Sequence, residues 1–380
     1  MADELIFALV VIARLGLPLA ISRYPLPAIL GCLVVDAADQ SIFHSFTSLS
    51  LDNYQTYDKA LDVYYLALAY VATIRNWGGG PDFVVGRALW YYRLVGVMLF
   101  EYTSSRWVLF VFPNTFEYFF IALELYKVRR DPNRLTLRHL VTIAAVIWIV
   151  VKLPQEWWIH IAQRDVTDDL RAWFGVQPDS SWADAIANRP ALAVVLLLGA
   201  VALGCVAVLA LRTLPPPLWA RTLDADRQGA LMGWRPPRRR MGPQAYFGWT
   251  FVEKVVLVGL VAAIFARILP GAEVRLSRNL LVTAYLIAMN TLLSQWLARR
   301  GTAWRNTVVE VGAMGAANLG VLLVTVAVLG GGNDPSPFGT TLFLVALLTV
   351  VVVLYDRSIG VYQERAGTSD GSSRREAVAR

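Results

Sequence analysis

Charge is scarce in this sequence: Asp, Glu, Lys and Arg make up 17% of its 380 residues, against about 25% in an ordinary soluble domain. Lysine is scarcer still, holding four of the 35 basic positions (Lys59, Lys127, Lys152 and Lys254). That bias, beside abundant Ala, Val, Gly and Leu, points to a GC-rich bacterial genome. The two cysteines, Cys32 and Cys205, fall inside apolar runs, form no CxxC and leave the redox compartment undefined. Of the three histidines, His44 and His160 read as external and His139 as lying at the inner boundary, so axial haem ligands across two spans are not expected. Walker A, HExxH, GxSxG and glycine-fingerprint signatures are all absent, which removes the common nucleotide, zinc-protease and serine-hydrolase readings.

What stands in place of charge is apolar sequence. Hydrophobic residues reach 56% and mean hydropathy is +0.49. The apolar runs are roughly 20 residues long and continuous, not alternating at every second position, which selects helices over a barrel. The expected fold is all-α, a polytopic transmembrane helical bundle of about 11 spans, or 10 without the short fourth. They are placed at 5–21, 25–43, 57–74, 88–101, 107–126, 139–155, 189–211, 246–269, 279–298, 305–330 and 337–355. The opening MADELIFALVVIARLG has no positive n-region and is read as a membrane helix, not a secretory signal. Lys and Arg divide 23 to six between alternate sides of these spans. By the positive-inside rule the N-terminus is then outside and the C-terminus cytoplasmic. A multi-pass plasma-membrane protein follows, with the lipid bilayer as its first partner.

The polar residues are unevenly spread. Residues 1–155, spans one to six, carry most of the intramembrane acids and are read as the functional core. Residues 156–188 mix Trp157, Trp158, Trp173, Phe174 and Trp182 with acids, which suits short helices in the external headgroup layer. Residues 189–363, spans seven to eleven, read as a supporting bundle. Its cytoplasmic loop 213–245 holds RPPRRR at 235–240; a basic loop of this kind sets topology on anionic lipid, and no nucleic-acid partner is expected. The small, polar tail 364–380 is expected to be disordered.

The chemistry gathers around residues 32–65. Asp36, Asp39 and Gln40 stand at i, i+3 and i+4, and Asp58, Asp62 and Tyr65 at i, i+4 and i+7, so each of two consecutive helices carries its acids on one face. Four carboxylates should meet in the outer half of the membrane, where an ionisable group must face protein or water. Hard cations take carboxylate oxygens, so Asp36, Asp39, Asp58 and Asp62 are also metal candidates. In span five, Pro113 removes a backbone hydrogen bond beside Asn114 and Glu117, and the helix should bend there. Glu117 is too deep to snorkel and is expected to pair with Arg14 or Arg93, the arginines near its depth. Lys152 closes the set at the outer end of span six. No cofactor is assigned.

A carrier or channel with an outward-facing acidic cavity, coupled to protons or cations, is the leading functional reading. The alternative is a membrane-embedded enzyme acting on a lipid or isoprenoid at the outer leaflet, with the aspartates holding a metal or serving as acid and base. A structural membrane subunit is the third.

Overall fold

The computed structural model describes residues 2–47, 54–77, 79–162, 164, 166–177, 180–213, 222–231, 249–268, 283–285, 287–292, 312–320 and 343–359, and among these the regular structure is entirely helical. The side chain of Gln40, the basic run 235–240 and the tail 364–380 lie outside them. The first seven helices build the site: α1 (Ala2–Gly16), α2 (Pro25–Phe46), α3 (Tyr54–Asn76), α4 (Pro81–Thr103), α5 (Arg106–Val111), α6 (Thr115–Arg129) and α7 (Leu137–Ile161).

Among the described residues, Pro81–Thr103, Arg106–Arg129 and Leu137–Ile161 are long and apolar enough to cross a membrane. A fourth span is available if Trp182–Asn188 and Pro190–Val206, turned by 105°, count together. Two boundaries differ most from the sequence reading. The helix expected at 88–101 starts at Pro81, whose fixed φ and missing N–H suit the first helical position. The helix expected to end at 155 runs on to Ile161, carrying Glu156 and His160 with it.

The central element is α3. From Ala60 to Ile74 every residue except Asp62 is buried, because α1, α2, α4 and the helix Trp249–Ile268 surround it. Its lower half packs aromatic on aromatic. The Tyr70 ring lies 5.7 Å from Trp90 of α4 and 6.4 Å from Phe116 of α6, and Trp77 stacks 5.6 Å from Phe120. Such aromatic pairs add about 0.5–1.5 kcal/mol each beyond the area they bury. Pro190–Arg212 is the opposite case, a long apolar helix with Val195, Leu197 and Leu203 at 63, 64 and 73% exposure.

Candidate functional site

Arg14 stands near the end of α1 with its side chain 3% exposed. Its Nη2 donates to Asp36 at 2.5 Å and to Asp62 at 2.6 Å, while Nη1 donates to Asp39 and Asp58. One guanidinium therefore gathers two acids from α2 and two from α3. Helical periodicity explains why it can: each pair sits on a single face, and α1, α2 and α3 pack mutually so that both faces meet the last turn of α1. The four acids are not equivalent. Asp39 has a side chain 1% exposed, whereas Asp36, Asp58 and Asp62 keep 29, 22 and 41%, so the cluster is sealed behind Asp39 and open in front of the other three. Carboxylate oxygens of Asp36, Asp58 and Asp62 come within 4.8 Å of one another, a spacing that could hold a metal ion.

A second polar centre lies at the break within Arg106–Arg129. The chain does more than bend at Pro113: α5 ends at Val111 and α6 begins at Thr115. Carbonyls released by the break are taken by α4, Tyr92 donating to Val111 at 2.7 Å and Arg93 to Phe112 at 3.0 Å. Gly96, one turn beyond Arg93, lets the break approach, since a β-carbon there would overlap Phe112.

Glu117, in the first turn of α6, is 4% exposed. It is not paired with an arginine, contrary to the expectation from depth: Arg14 is committed to the aspartates and Arg93 to Phe112. Its oxygens instead accept from Tyr65 of α3 at 2.5 Å and from Asn114 at 2.7 Å. Neutral donors and the N-terminal end of the α6 dipole thus solvate this carboxylate. The Asn114 N–H also reaches Glu156 of α7 at 3.4 Å, and Glu156 lies 3.0 Å from His160 Nε2. Tyr65, Glu117, Asn114, Glu156 and His160 therefore form one connected chain, with Tyr65 a turn from Asp62.

Lys152 is 4% exposed, and its Nζ lies 3.9 Å above the ring of Tyr118. The structure thus brings Arg14 together with the four aspartates, and Tyr65, Asn114 and Glu117 together with one another, while Arg93 and Lys152 flank the break. The sequence reading placed Glu156 beside Lys152 at the outer end of its span but left it, His160 and Tyr118 out of the site. The signal for the first two was present: Lys152, Glu156 and His160 recur at i, i+4 and i+8, a single helical face.

Another polar contact ties the later helices to this core. Glu253 of Trp249–Ile268 accepts from Tyr70 of α3 and lies 3.8 Å from Arg87 of α4, and Lys254 pairs with Asp356 at 2.8 Å. At the far end of α6, Glu124 accepts from Trp77 at 2.7 Å and pairs with Lys127 at 2.9 Å. Compared with known proteins, the chain matches no family model, no curated protein and no solved structure.

Proposed function

We propose that this protein is a multi-pass plasma-membrane carrier of about 11 spans, with its N-terminus outside and its C-terminus in the cytoplasm, driven by protons or cations bound at the Arg14 cluster. The observation that carries this reading is the sharing of one guanidinium by four carboxylates. Within the cluster a single positive charge faces four acids, so the set is electrically balanced only when it also holds protons or cations. In a membrane interior an unbalanced charge is costly, which makes uptake and release of those ions the natural currency of a conformational cycle. Three of the acids are partly exposed, as exchange with solvent requires.

The metal-dependent enzyme remains the second reading, favoured by the 4.8 Å grouping of Asp36, Asp58 and Asp62. Against it stands Arg14, which already bonds each of those three.

The test is flux in proteoliposomes carrying an internal pH-sensitive dye, under an imposed potassium diffusion potential and with sodium present or absent. Ion entry in wild type, lost in Asp62→Asn, supports the carrier. No proton or sodium movement, together with stoichiometric magnesium binding by purified protein, moves the assignment to the enzyme. Orientation is read separately in a cysteine-free background. Single cysteines at Ser48, Ser180 and Asn333 should react with an impermeant reagent from outside, and those at Thr222, Gly301 and Gly367 should not.

A further inference from the structure

The acids and bases around the break at Pro113 are satisfied unequally. Both acids have donors: Glu117 holds Tyr65 and Asn114, and Glu156 holds His160 and the Asn114 N–H. The bases lack acceptors. Lys152 is 4% exposed, yet among the described residues its ammonium has neither a hydrogen bond nor an ion pair, only the Tyr118 ring 3.9 Å away. Arg93 makes a single hydrogen bond, to Phe112, and its buried Nε has no acceptor among the described residues. Buried donors are ordinarily matched, and an unmatched charged one is the costliest kind.

These two cations bracket one place. Arg93 bonds the carbonyl two residues before Asn114, which precedes the first helical residue of α6, and Lys152 lies over Tyr118 in the opening turns of the same helix. Each attracts both Glu117 and Glu156, and the two cations are near enough to repel one another. Asn114 provides no side-chain cap to α6, and the neighbouring Thr115 hydroxyl is buried without a hydrogen-bond partner. A 15-residue helix presents its positive end here, between Arg93, whose Nε has no acceptor among the described residues, and Lys152, whose ammonium meets only the Tyr118 ring.

We propose that the break between α5 and α6 is a binding site for an oxyanion, the carboxylate or phosphate of a small solute or of a lipid headgroup, held between Arg93 and Lys152. This deepens the carrier reading by naming the class of its solute. It stands apart in its test, because equilibrium binding requires no movement across the membrane. Arg93 would offer Nε and a free Nη to two oxygens, and the Lys152 ammonium would add up to three donors.

The experiment uses full-length protein in nanodiscs of phosphatidylcholine, titrated with acetate, succinate and inorganic phosphate by calorimetry, and a parallel preparation containing phosphatidylglycerol. At least one soluble oxyanion should bind saturably if the source is a solute. If the source is a headgroup, phosphatidylglycerol should copurify and the titrations should be silent only in its presence. Lys152→Met and Arg93→Gln should each weaken binding about tenfold or more, with Lys152→Arg retaining most of it. Saturable binding in a protein without coupled flux would overturn the carrier reading and leave the oxyanion site standing. Should the charge-removing variants fail to fold, wild type answers alone. Lys152 is one of four lysines, and its acylation by an amine-reactive reagent, mapped by mass spectrometry, should be slowed by the bound oxyanion. Absence of binding by every one of these anions, unaltered affinity in folded Lys152→Met, or acylation indifferent to ligand overturns the proposal.

Discussion

Tyr65 donates its phenolic hydrogen to Glu117 across the α3–α6 interface at 2.5 Å, joining the aspartate-bearing helix to the broken one. The contact lies a single turn from Asp62, so the two polar centres share one rigid element.

Removing that hydroxyl should therefore be felt at the break. Tyr65→Phe leaves Glu117 with Asn114 as its hydrogen-bond donor and should cost about 1–3 kcal/mol, the usual penalty for an under-satisfied buried acceptor. Thermal unfolding in detergent measures it. Glu117→Gln should partly relieve the loss, so the double variant should be less damaged than the sum of the singles; strict additivity would mean that the bond contributes nothing.

Arg14→Gln should be the most destabilising single change in the first three helices. It leaves the four acids of α2 and α3 without their shared base, and loss of one member of a buried ion pair costs about 3–5 kcal/mol. Asp39→Asn should cost less, about 1–3 kcal/mol, since three acids still hold the guanidinium. Recovery of folded protein by gel filtration, followed by thermal unfolding, ranks the two. An Arg14→Gln protein as stable as wild type would show that the cluster is not what joins α1 to α2 and α3.

Gly96→Ala tests the fit of the break against α4. The added methyl would overlap Phe112 and force the α5 end outward, an overpacking penalty of about 1–3 kcal/mol. Arg93, on the preceding turn, should lose its grip on the Phe112 carbonyl at the same time. A lower unfolding temperature in nanodiscs is the expected readout.

One pH effect arises outside the spans. Burial pushes the Asp224 carboxyl up, but the hydrogen bonds it accepts, from Arg23 and then from the N–H groups of Arg227 and Asp226, pull it further down, leaving it below the usual carboxylate range. A carboxyl depressed in the folded state adds stability above its unfolded value near pH 4 and loses it as pH falls through the folded one. The short helix Ala225–Leu231, docked through the Arg23 carbonyl and through the pair of Arg75 with Asp226, should loosen over that acidic window. Hydrogen exchange of residues 222–231 should rise below about pH 4, and Asp224→Asn should raise it already at neutral pH.

Helicity and the one-sided placement of the acids were legible because both depend on local spacing. Asp36 with Asp39, and Asp58 with Asp62, share a face whatever the tertiary structure does. The common base was not legible. Arg14 is separated from Asp62 by 48 positions, and only the mutual packing of α1, α2 and α3 selects it over Arg93, which lies at similar depth. Pro113 announced a disturbance but not its extent, because the carbonyls it frees had to find Tyr92 and Arg93 on another helix. Glu117 was assigned an arginine on the argument that a buried charge needs an opposite one. Tyr65 and Asn114 meet the same need with hydrogen bonds and a helix end.

The winding of α7 decides which of its residues reach the interior. Leu140 and Ala144 are buried at 1 and 8%, and an unbroken α-helix would continue their face through Val151 and Gln155. The π-helical stretch Ile147–Lys152 makes one turn a residue wider, and the face passes instead to Lys152 and Glu156, while Val151 is left 39% exposed. In effect α7 contains an insertion that resets its phase by roughly 100°. Deleting Ile149 would remove that inserted residue and restore regular winding without touching a polar residue, and would leave Lys152 and Glu156 on the face of Leu140 and Ala144.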